Sequence, residues 1–447
     1  MRFIPYLVGT ACLGYTAAQS VPTPAALLLP APPAPSRPSD DLVNSSLRVQ
    51  VCKCGGAVVN EVCYDTLEKA VDKAVNDDYV FIGGTHYVDK PIQFTYDLNF
   101  VGVLCSGDRA KLVAKFDRQR GAILEAVRYN EQTILLANLD FTGTYGNSNS
   151  GFHTRGQAGA SGGQRVSLGV YNTNFYDMSS KRDGAGIFIG VAEALTISSD
   201  CTFENLKVAT IEKGIYAGGP ALTIAYVPPY ANIDIDGTYF DNSARFVEGS
   251  KHSDGGVMHF STVDGVVNIQ GYYYNNVANQ GGAIFVEELV GTMFINGHFE
   301  ANQAIDDDYG ARGGALRVVK LFADSQLQIT GTFKDNRSAG KAAVLALNIV
   351  ADRAVAYLSG RFEGNTASGD GGVISVWSST SMKGALVIDG NSQFKDNTVT
   401  ITNEEPGSSL IYVERPRMYY SENDWSGSRM IVSAARNQVV DVVPKKW

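Results

Sequence analysis

The sequence predicts an all-β fold, a single parallel β-helix (solenoid) preceded by an N-terminal capping α-helix. The 447 residues include 47 glycines and few stretches of helical periodicity, which is typical of β-chains with many turns. A motif of an aromatic residue followed by Asn returns six times between residues 237 and 397, often with a glycine pair after it. Recurrence at intervals of about 30 residues indicates stacked coils.

The first 19 residues predict a cleaved signal peptide. They carry one Arg, an apolar middle and small residues near the end, which is the pattern of a secretory signal. Later apolar runs fall short of the ~20 residues that span a bilayer. We therefore expect a secreted, extracellular or cell-surface-associated protein without an integral membrane anchor.

Residues 20–47 are rich in Pro and Ala and predict an extended linker. Asn44 begins an Asn-Ser-Ser sequon, a candidate for glycosylation. The formal net charge of -9 disfavours nucleic acids and anionic membranes as partners.

Four cysteines cluster in the next region, residues 48–105. In an exported protein they predict two disulfides of undetermined pairing that staple the N-terminal cap and the first coils, with Cys201 left over. A zinc site built from the same thiolates is the alternative, which their irregular spacing disfavours. The four candidates are Cys52, Cys54, Cys63 and Cys105.

An amphipathic helix opens this region. Apolar residues recur at helical spacing from Leu67 to Ala74, and Asp65 with Glu68 predicts a capping box at its start. The stretches "YVFI", "PIQF" and "LNFVGV" then predict short strands. A helix placed over the first coil would protect its unpaired backbone groups.

This order of elements, with "TLEKAVDKA" before a strand and a "GTHY" turn, resembles the opening of the pectin-lyase-like right-handed parallel β-helix superfamily. The resemblance covers residues 64–103 and implies a right-handed solenoid whose first coil is plugged by the helix. It implies little about activity, because the superfamily contains both enzymes and non-enzymes.

The repeats themselves, in residues 106–447 and clearest in 230–400, specify the coils. Apolar and polar residues alternate before each aromatic residue, so the aromatic set is expected to form an internal stack with rings ~4.8 Å apart. The Asn that follows is expected at a turn, in left-handed backbone, with its amide bonded to the next Asn. The two sets are Tyr239, Tyr273, Phe299, Phe333, Phe362 and Phe394, and Asn242, Asn276, Asn302, Asn336, Asn365 and Asn397.

A glycine pair starts the next strand in "GGVMHF", "GGAIFV", "GGALRV" and "GGVISV", and "KAAVLA" (341–346) is a degenerate copy. Glycine supplies turn conformations that other residues rarely adopt. The strand after it is predicted to turn Met258, Ile284, Leu316, Val344 and Ile374 inward.

Together the two motifs are similar to the repeat of the chlamydial polymorphic outer membrane proteins, secreted adhesins of the autotransporter class. This resemblance implies export and adhesion. The match is incomplete, because residues 400–447 lack the series of strands that a membrane barrel would need.

Outward positions supply the candidate binding residues. Glu300, Lys334, Glu363 and Lys395 alternate in charge on successive coils and predict an ion-pair ladder. Exposed aromatic residues either pack under a loop or stack on a sugar or protein partner. The candidates for binding are Phe240, Tyr272, Tyr274, His259, Phe285, Glu287, Arg317 and Trp377.

Catalytic candidates lie on the loop edge before the glycine pairs: Asp254, Asp306, Asp307, Asp308 and Arg312. The acidic run has the oxygen ligands that calcium prefers, but consecutive residues rarely converge on one ion, so a solvated loop is favoured. No cofactor is therefore expected, with calcium as the alternative. The leading hypothesis is a secreted, non-enzymatic, adhesin-like protein that binds an extracellular glycan or protein along one flank. The alternative is a polysaccharide lyase or glycoside hydrolase, whose chemistry needs converging acidic and basic groups.

Overall fold

The strands stack into a parallel β-solenoid of about nine turns, which confirms the all-β solenoid prediction. The computed structural model describes residues 34–36, 55–117, 121–127, 131–143, 150–154, 164–181, 184–210, 216–246, 252–305, 310–369, 371–377, 385–389, 392–399, 411–414 and 430–432. No helix within these ranges is long and apolar enough to cross a membrane.

The elements follow one another in short segments. The first part of the chain contains β1 (Ala57–Val59), β2 (Val62–Tyr64), α1 (Leu67–Lys73), β3 (Asp78–Gly83), β4 (Thr85–Val88), β5 (Ile92–Phe94), β6 (Leu98–Val103), β7 (Ala110–Ala114), β8 (Ala122–Ala126), β9 (Gln132–Ala137), β10 (Leu139–Gly143), β11 (Ser150–Thr154), β12 (Arg165–Tyr171), β13 (Asn174–Tyr176) and β14 (Ser179–Ser180). The middle contains β15 (Ile187–Ile197), β16 (Thr202–Glu204), β17 (Lys207–Thr210), β18 (Tyr216–Gly218), β19 (Leu222–Val227), β20 (Asn232–Ile235), β21 (Thr238–Phe240), β22 (Ser243–Phe246), β23 (His252–Asp254), β24 (Met258–Val263), β25 (Val266–Ile269), β26 (Tyr272–Tyr274) and β27 (Val277–Ala278). The last part contains β28 (Ile284–Leu289), β29 (Thr292–Glu300), β30 (Gln303–Ala304), β31 (Leu316–Leu321), β32 (Gln326–Lys334), β33 (Arg337–Ser338), β34 (Leu345–Val350), β35 (Val355–Glu363), β36 (Thr366–Ala367), β37 (Ile374–Trp377), β38 (Ala385–Ile388), β39 (Gln393–Lys395), β40 (Thr398–Val399), β41 (Ile411–Glu414) and β42 (Met430–Val432).

Each coil contributes strand segments to three long parallel faces. Face 1 consists of β5, β8, β11, the first part of β15, β19, β24, β28, β31, β34, β37 and β41. Face 2 consists of β3, β6, β9, β12, the second part of β15, β20, β25, the first parts of β29, β32 and β35, then β38 and β42. Face 3 consists of β4, β7, β10, β13, β16, β21, β26, the second parts of β29, β32 and β35, and β39.

The predicted aromatic stack lies inside face 3. Successive rings are nearly parallel, with centroids 4.4 to 5.3 Å apart. The column also extends toward the N-terminus through Phe203, Phe175 and Phe141. One ring per coil therefore fills the interior at the spacing that parallel strands impose.

The Asn ladder is also confirmed. Each Asn from Asn242 to Asn365 donates its side-chain Nδ2 to Oδ1 of the next Asn at 2.8 to 3.0 Å. The same Nδ2 also donates to the carbonyl of an aromatic residue in the preceding coil, and the same Oδ1 also accepts from the backbone N–H of the preceding Asn. The ladder thus joins three successive coils at every step.

The prediction that the ladder Asn residues have left-handed backbone is wrong by one position. The ladder Asn residues do not have positive φ; the residue before each of them does, with φ of 56° at Asp241, 52° at Asn275 and 53° at Asp335. Asn, Asp and Gly dominate that preceding position because they tolerate this conformation. The ladder Asn is selected for its amide.

The helix is present, with a different N-cap. Leu67, Ala70 and Val71 are buried as predicted, but Thr66 is the N-cap, accepting from the backbone N–H of Lys69 at 3.3 Å. Asp65 instead pairs with the Lys69 ammonium at 2.8 Å. The predicted capping box is therefore wrong, because its acceptor lies one residue further along the chain.

The degenerate repeat is shifted by one residue from the predicted alignment. Leu345, not Val344, pairs with Leu316, so Leu345 and Leu347 face inward and Ala346 takes the position next to Arg317. Ala342 has the positive φ, 56°, that glycine provides in the other coils. Without a glycine pair, the sequence offered no marker for this register.

The predicted ion-pair ladder forms in part on the outer side of face 3. Lys334 donates to Glu300 at 2.7 Å and Lys395 to Glu363 at 3.0 Å. The hydrogen bond from Lys334, followed by one from His298, lowers the pKa of the Glu300 carboxyl. These contacts join neighbouring coils in pairs.

The structure describes only some of the cysteines in the predicted cluster. Cys201, the cysteine left over from the predicted disulfides, is a buried free thiol. Cys52 and Cys54 lie outside the described residues, so the two disulfides and their pairing stay a prediction. The signal peptide, Asn44 and most of the linker also lie outside them.

Candidate functional site

The candidate site begins at a tight glycine turn that leads into face 1. Gly255, Gly281 and Gly313 have φ between 61° and 72°. A Cβ at Gly255 would lie 2.1 Å from the Met258 carbonyl oxygen, so only glycine fits there.

The residue before each turn forms an edge column of parallel bridges: Asp254, Gln280, Arg312 and Lys341. A cleft of about 530 Å³ lies where this edge column meets the outer side of face 1. It is lined by Asp254, Thr262, Gln280, Phe285, Glu287, Glu288, Arg312, Arg317, Val319, Lys320 and Ile349. The cleft therefore spans several coils and presents carboxylates, cations, an amide and apolar groups together.

Charged groups at and beside the cleft are buried. Asp254 is 2 % exposed and Arg317 is 7 % exposed. Beside the cleft, His259 is 4 % exposed. Burial of ionisable groups is costly unless they are paired, and it is a common property of functional sites.

The contacts within the site join neighbouring coils. His259 Nε2 and Glu287 Oε1 are 2.9 Å apart. The planes of the Phe285 and His259 rings are perpendicular, at 89°, with centroids 5.2 Å apart. On the other side of Phe285, the Arg317 guanidinium carbon lies 5.5 Å from the ring centre. One phenyl ring thus separates an imidazole from a guanidinium.

These residues belong to a row that continues along face 1. In register, the row passes through Gln93, Glu125, His153, Phe188, Thr223, His259, Phe285, Arg317, Ala346, Ser375 and Tyr412. His153 and Phe188 repeat the perpendicular imidazole–phenyl contact, with centroids 4.5 Å apart. Glu125 is 1 % exposed and accepts from Gln93 at 2.9 Å.

The predicted site residues fall into two groups on different faces. The cleft or its wall contains Asp254, His259, Phe285, Glu287, Arg312 and Arg317. Phe240, Tyr272 and Tyr274 lie on the outer side of face 3, where the two tyrosines are 61 % and 51 % exposed. The structure therefore places these candidates on two different faces, with face 2 between face 1 and face 3 along the chain. Binding along a single flank stays a prediction.

Some predicted residues lie beyond what the structure describes. These are Asp306, Asp307 and Asp308 and the side chain of Trp377. Within the described residues, no group of three or more His, Cys, Asp or Glu side chains is placed to hold a metal ion. Calcium binding by the acidic loop stays a prediction.

Sequence reasoning missed several members of the cleft. Gln280, Glu288 and Lys320 line it, and the Lys320 ammonium lies 3.9 Å from Glu288. Gln280 occupies the position equivalent to Asp254 and Arg312, so the repeat alignment held the signal for it. Glu288 and Lys320 are likewise register partners.

No family model, no curated protein and no solved structure matches this chain. The function of this chain must therefore be inferred from its own geometry.

Proposed function

We propose that this protein is a non-enzymatic β-solenoid that binds an extracellular glycan or protein through the cleft on face 1. The observation that carries the proposal is the burial of Asp254 and Arg317 at a cleft of about 530 Å³ on the outer side of face 1. Interior stacking does not require these charges, because the core beneath them is apolar. A preformed recess with fixed donors and acceptors is typical of ligand sites.

The chemistry of the cleft suits a ligand with many hydroxyl groups. Carboxylates accept hydrogen bonds from hydroxyls, guanidinium groups donate to them, and Phe285 offers an apolar surface between the two. The exposed Tyr272 and Tyr274 on face 3 provide a second surface on which sugar rings or a protein can pack.

The wider assignment rests on sequence features. The signal-like residues 1–19 support secretion, and the recurrent Asn and Gly-Gly motifs support an adhesin-like role. The helix α1, which contacts β1, β2, β3 and β5, supports a capping role at the first coil. The same opening supports a right-handed solenoid of the pectin-lyase-like type.

The test is a glycan array probed with the purified protein, followed by calorimetric titration of the glycan that binds best. Arg317→Met removes the charge but keeps an unbranched apolar stem beside Phe285, and we expect at least a tenfold loss of affinity. Arg353→Met is the matched control, because Arg353 is an exposed arginine paired with Asp324 at 2.7 Å. Unchanged affinity in Arg317→Met together with a loss in Tyr274→Ala would move the site to face 3, and no binding at all would contradict the glycan proposal.

The second candidate function is a polysaccharide lyase or glycoside hydrolase at the same cleft. The contact of 2.9 Å between His259 and Glu287 favours it, since a histidine oriented by a carboxylate is a common general base. In this proposal Asp254 and Arg312 share the cleft and would bind substrate. Release of unsaturated product or of reducing ends from a polysaccharide, lost in His259→Gln, would support the enzyme over the binding protein.

A further inference from the structure

The outer side of face 2 carries an apolar cluster in the first coils. Val101, Leu135 and Ala137 form a cluster separate from the main core, and each is at most 2 % exposed. Along β9, Leu135 and Ala137 alternate with the core residues Ile134 and Leu136, so they point away from the interior. Val101 follows the core residue Phe100 in β6 and pairs in register with Ala137. Half-buried Tyr79, Phe81 and Tyr171 pack against them.

A residue from the Pro-rich N-terminal segment lies on this surface. The Tyr171 hydroxyl donates a hydrogen bond to the Pro35 carbonyl at 2.7 Å. Tyr171 pairs in register with Ala137, and Gly169, two residues earlier, pairs with Leu135. Pro35 is therefore seated at the edge of the apolar cluster, 136 positions away from its partner in the chain.

Gly169 makes room for this contact. A Cβ at Gly169 would lie 2.7 Å from the Pro35 carbonyl oxygen and 3.1 Å from Pro35 Cγ. The third of the three nearest atoms belongs to the Tyr171 ring, at 2.9 Å, whereas the two atoms nearest to a Cβ at Gly102 belong to the backbone of Asn138. The absence of a side chain at Gly169 thus makes room for the docked segment.

We propose that the outer side of face 2 around Tyr171, Gly169 and the Val101–Leu135–Ala137 cluster is a docking surface for the chain's own Pro-rich segment at Pro35. The chemistry is that of proline recognition, in which tyrosines pack against pyrrolidine rings and donate hydrogen bonds to the carbonyls between them. Residues 34–36, within the segment predicted as an extended linker, are then a strap that ties this part of the chain to the side of the first coils.

Gly169→Ala in the full chain is the first test. The added methyl group would first meet Pro35 and the side-chain ring of Tyr171, so the solenoid is expected to stay folded while the strap is released. Hydroxyl-radical labelling of Pro35 should then increase severalfold, with labelling of the buried Phe141 unchanged. Tyr171→Phe should increase the labelling of Pro35 as well, and Tyr96→Phe, at an exposed tyrosine, should not.

Cysteine trapping provides a second test that does not depend on stability. The double variant Pro35→Cys with Gly169→Cys should form a disulfide within one chain on mild oxidation, identified by mass spectrometry of the linked peptides. Pro24→Cys with Gly169→Cys is the control and should cross-link at least tenfold more slowly. Equal cross-linking of both pairs, a cross-link between two chains, or unchanged labelling of Pro35 in Gly169→Ala would each overturn the proposal.

Discussion

Every late coil makes two sharp turns, and the two are built on opposite principles. At the turn after face 3, the same residue type recurs: Asn242, Asn276 and Asn302 occupy equivalent positions, and all are fully buried and hydrogen-bonded. At the turn before face 1, the glycine recurs but the residue before it changes from Asp254 to Gln280 to Arg312. The first turn repeats a side chain to hold the stack together. The second repeats a backbone conformation and leaves its side chains free to differ, which is how a repeat protein acquires a ligand site.

The largest expected effect comes from breaking the Asn ladder at its centre. Asn302→Ala removes two hydrogen bonds donated by its Nδ2 and two accepted by its Oδ1. Buried groups left without partners cost about 1 to 3 kcal/mol each, so we expect a loss of about 4 kcal/mol in the free energy of unfolding, measured by urea denaturation.

Asn397→Ala is the matched control, because Asn397 is the last member of the described ladder and is only half-buried. Asn397→Ala should lower the free energy of unfolding by less than half as much as Asn302→Ala. Equal effects at the two positions would mean that the ladder does not transmit stability along the stack.

The glycine turn gives the next largest effect. A Cβ at Gly282 would lie 2.0 Å from the Gly314 carbonyl oxygen, so Gly282→Ala must push two coils apart and should cost about 3 kcal/mol. Gly310→Ala adds a methyl group in open space at φ 81° and should cost about 1 kcal/mol, from backbone strain alone. Thermal unfolding of the two variants side by side measures the difference, and a smaller effect at Gly282 would argue against steric closure of the turn.

A substitution in the cleft should weaken ligand binding and leave stability almost unchanged, whereas a substitution in the Asn ladder should lower stability. Arg317→Met is expected to change the free energy of unfolding by no more than about 1 kcal/mol, because replacing a buried charge by an apolar side chain of similar length is often neutral or stabilising. Ligand affinity should fall at least tenfold in the same variant. A severe loss of stability with intact binding would make Arg317 a structural residue and would remove the contrast between the two turns.

The smallest effect concerns the ion pairs outside face 3. Lys334 lowers the pKa of Glu300 in the folded state, so this pair stabilises the protein above the unfolded pKa of a Glu, about 4.3. The stabilisation is lost as the pH falls through the folded pKa. Glu300→Gln should therefore lower Tm at pH 7 by at most about 2 °C and have no effect near pH 2. A Tm difference between Glu300→Gln and the parent protein that persists at pH 2 would refute this origin.

The sequence allowed the repeated elements to be predicted and the variable ones only in part. The aromatic stack and the Asn ladder follow from an alternating pattern, because period two fixes which side chains point inward. The predicted alignment is wrong by one residue at residues 341–346, because Ala342 and Ala343 replace the glycine pair and no residue marks the turn.

The site was harder to predict because its shape depends on angles between strands. Asp254 and Arg312 could be placed on one edge from the repeat alone, but nothing in the sequence indicates that this edge meets the outer side of face 1 in a cleft. Nor does the sequence indicate that Tyr272 and Tyr274 lie on a separate face, because that depends on the bends between strands. Gln280 was not predicted as a site residue because the candidates were chosen among charged and aromatic side chains, and its amide is neutral.

The Asn ladder also gives the solenoid a direction. Every side-chain amide donates toward the C-terminal neighbour, from Asn242 through Asn365 to Asn397, so the amide dipoles align head to tail and polarise one another. The buried column is therefore electrically asymmetric, with its positive end at the most recently added coil. Each completed coil presents a side-chain N–H group for which the Asn of the following coil supplies an acceptor, so a chain leaving the ribosome or a translocation pore can build its coils one after another, each templating the next.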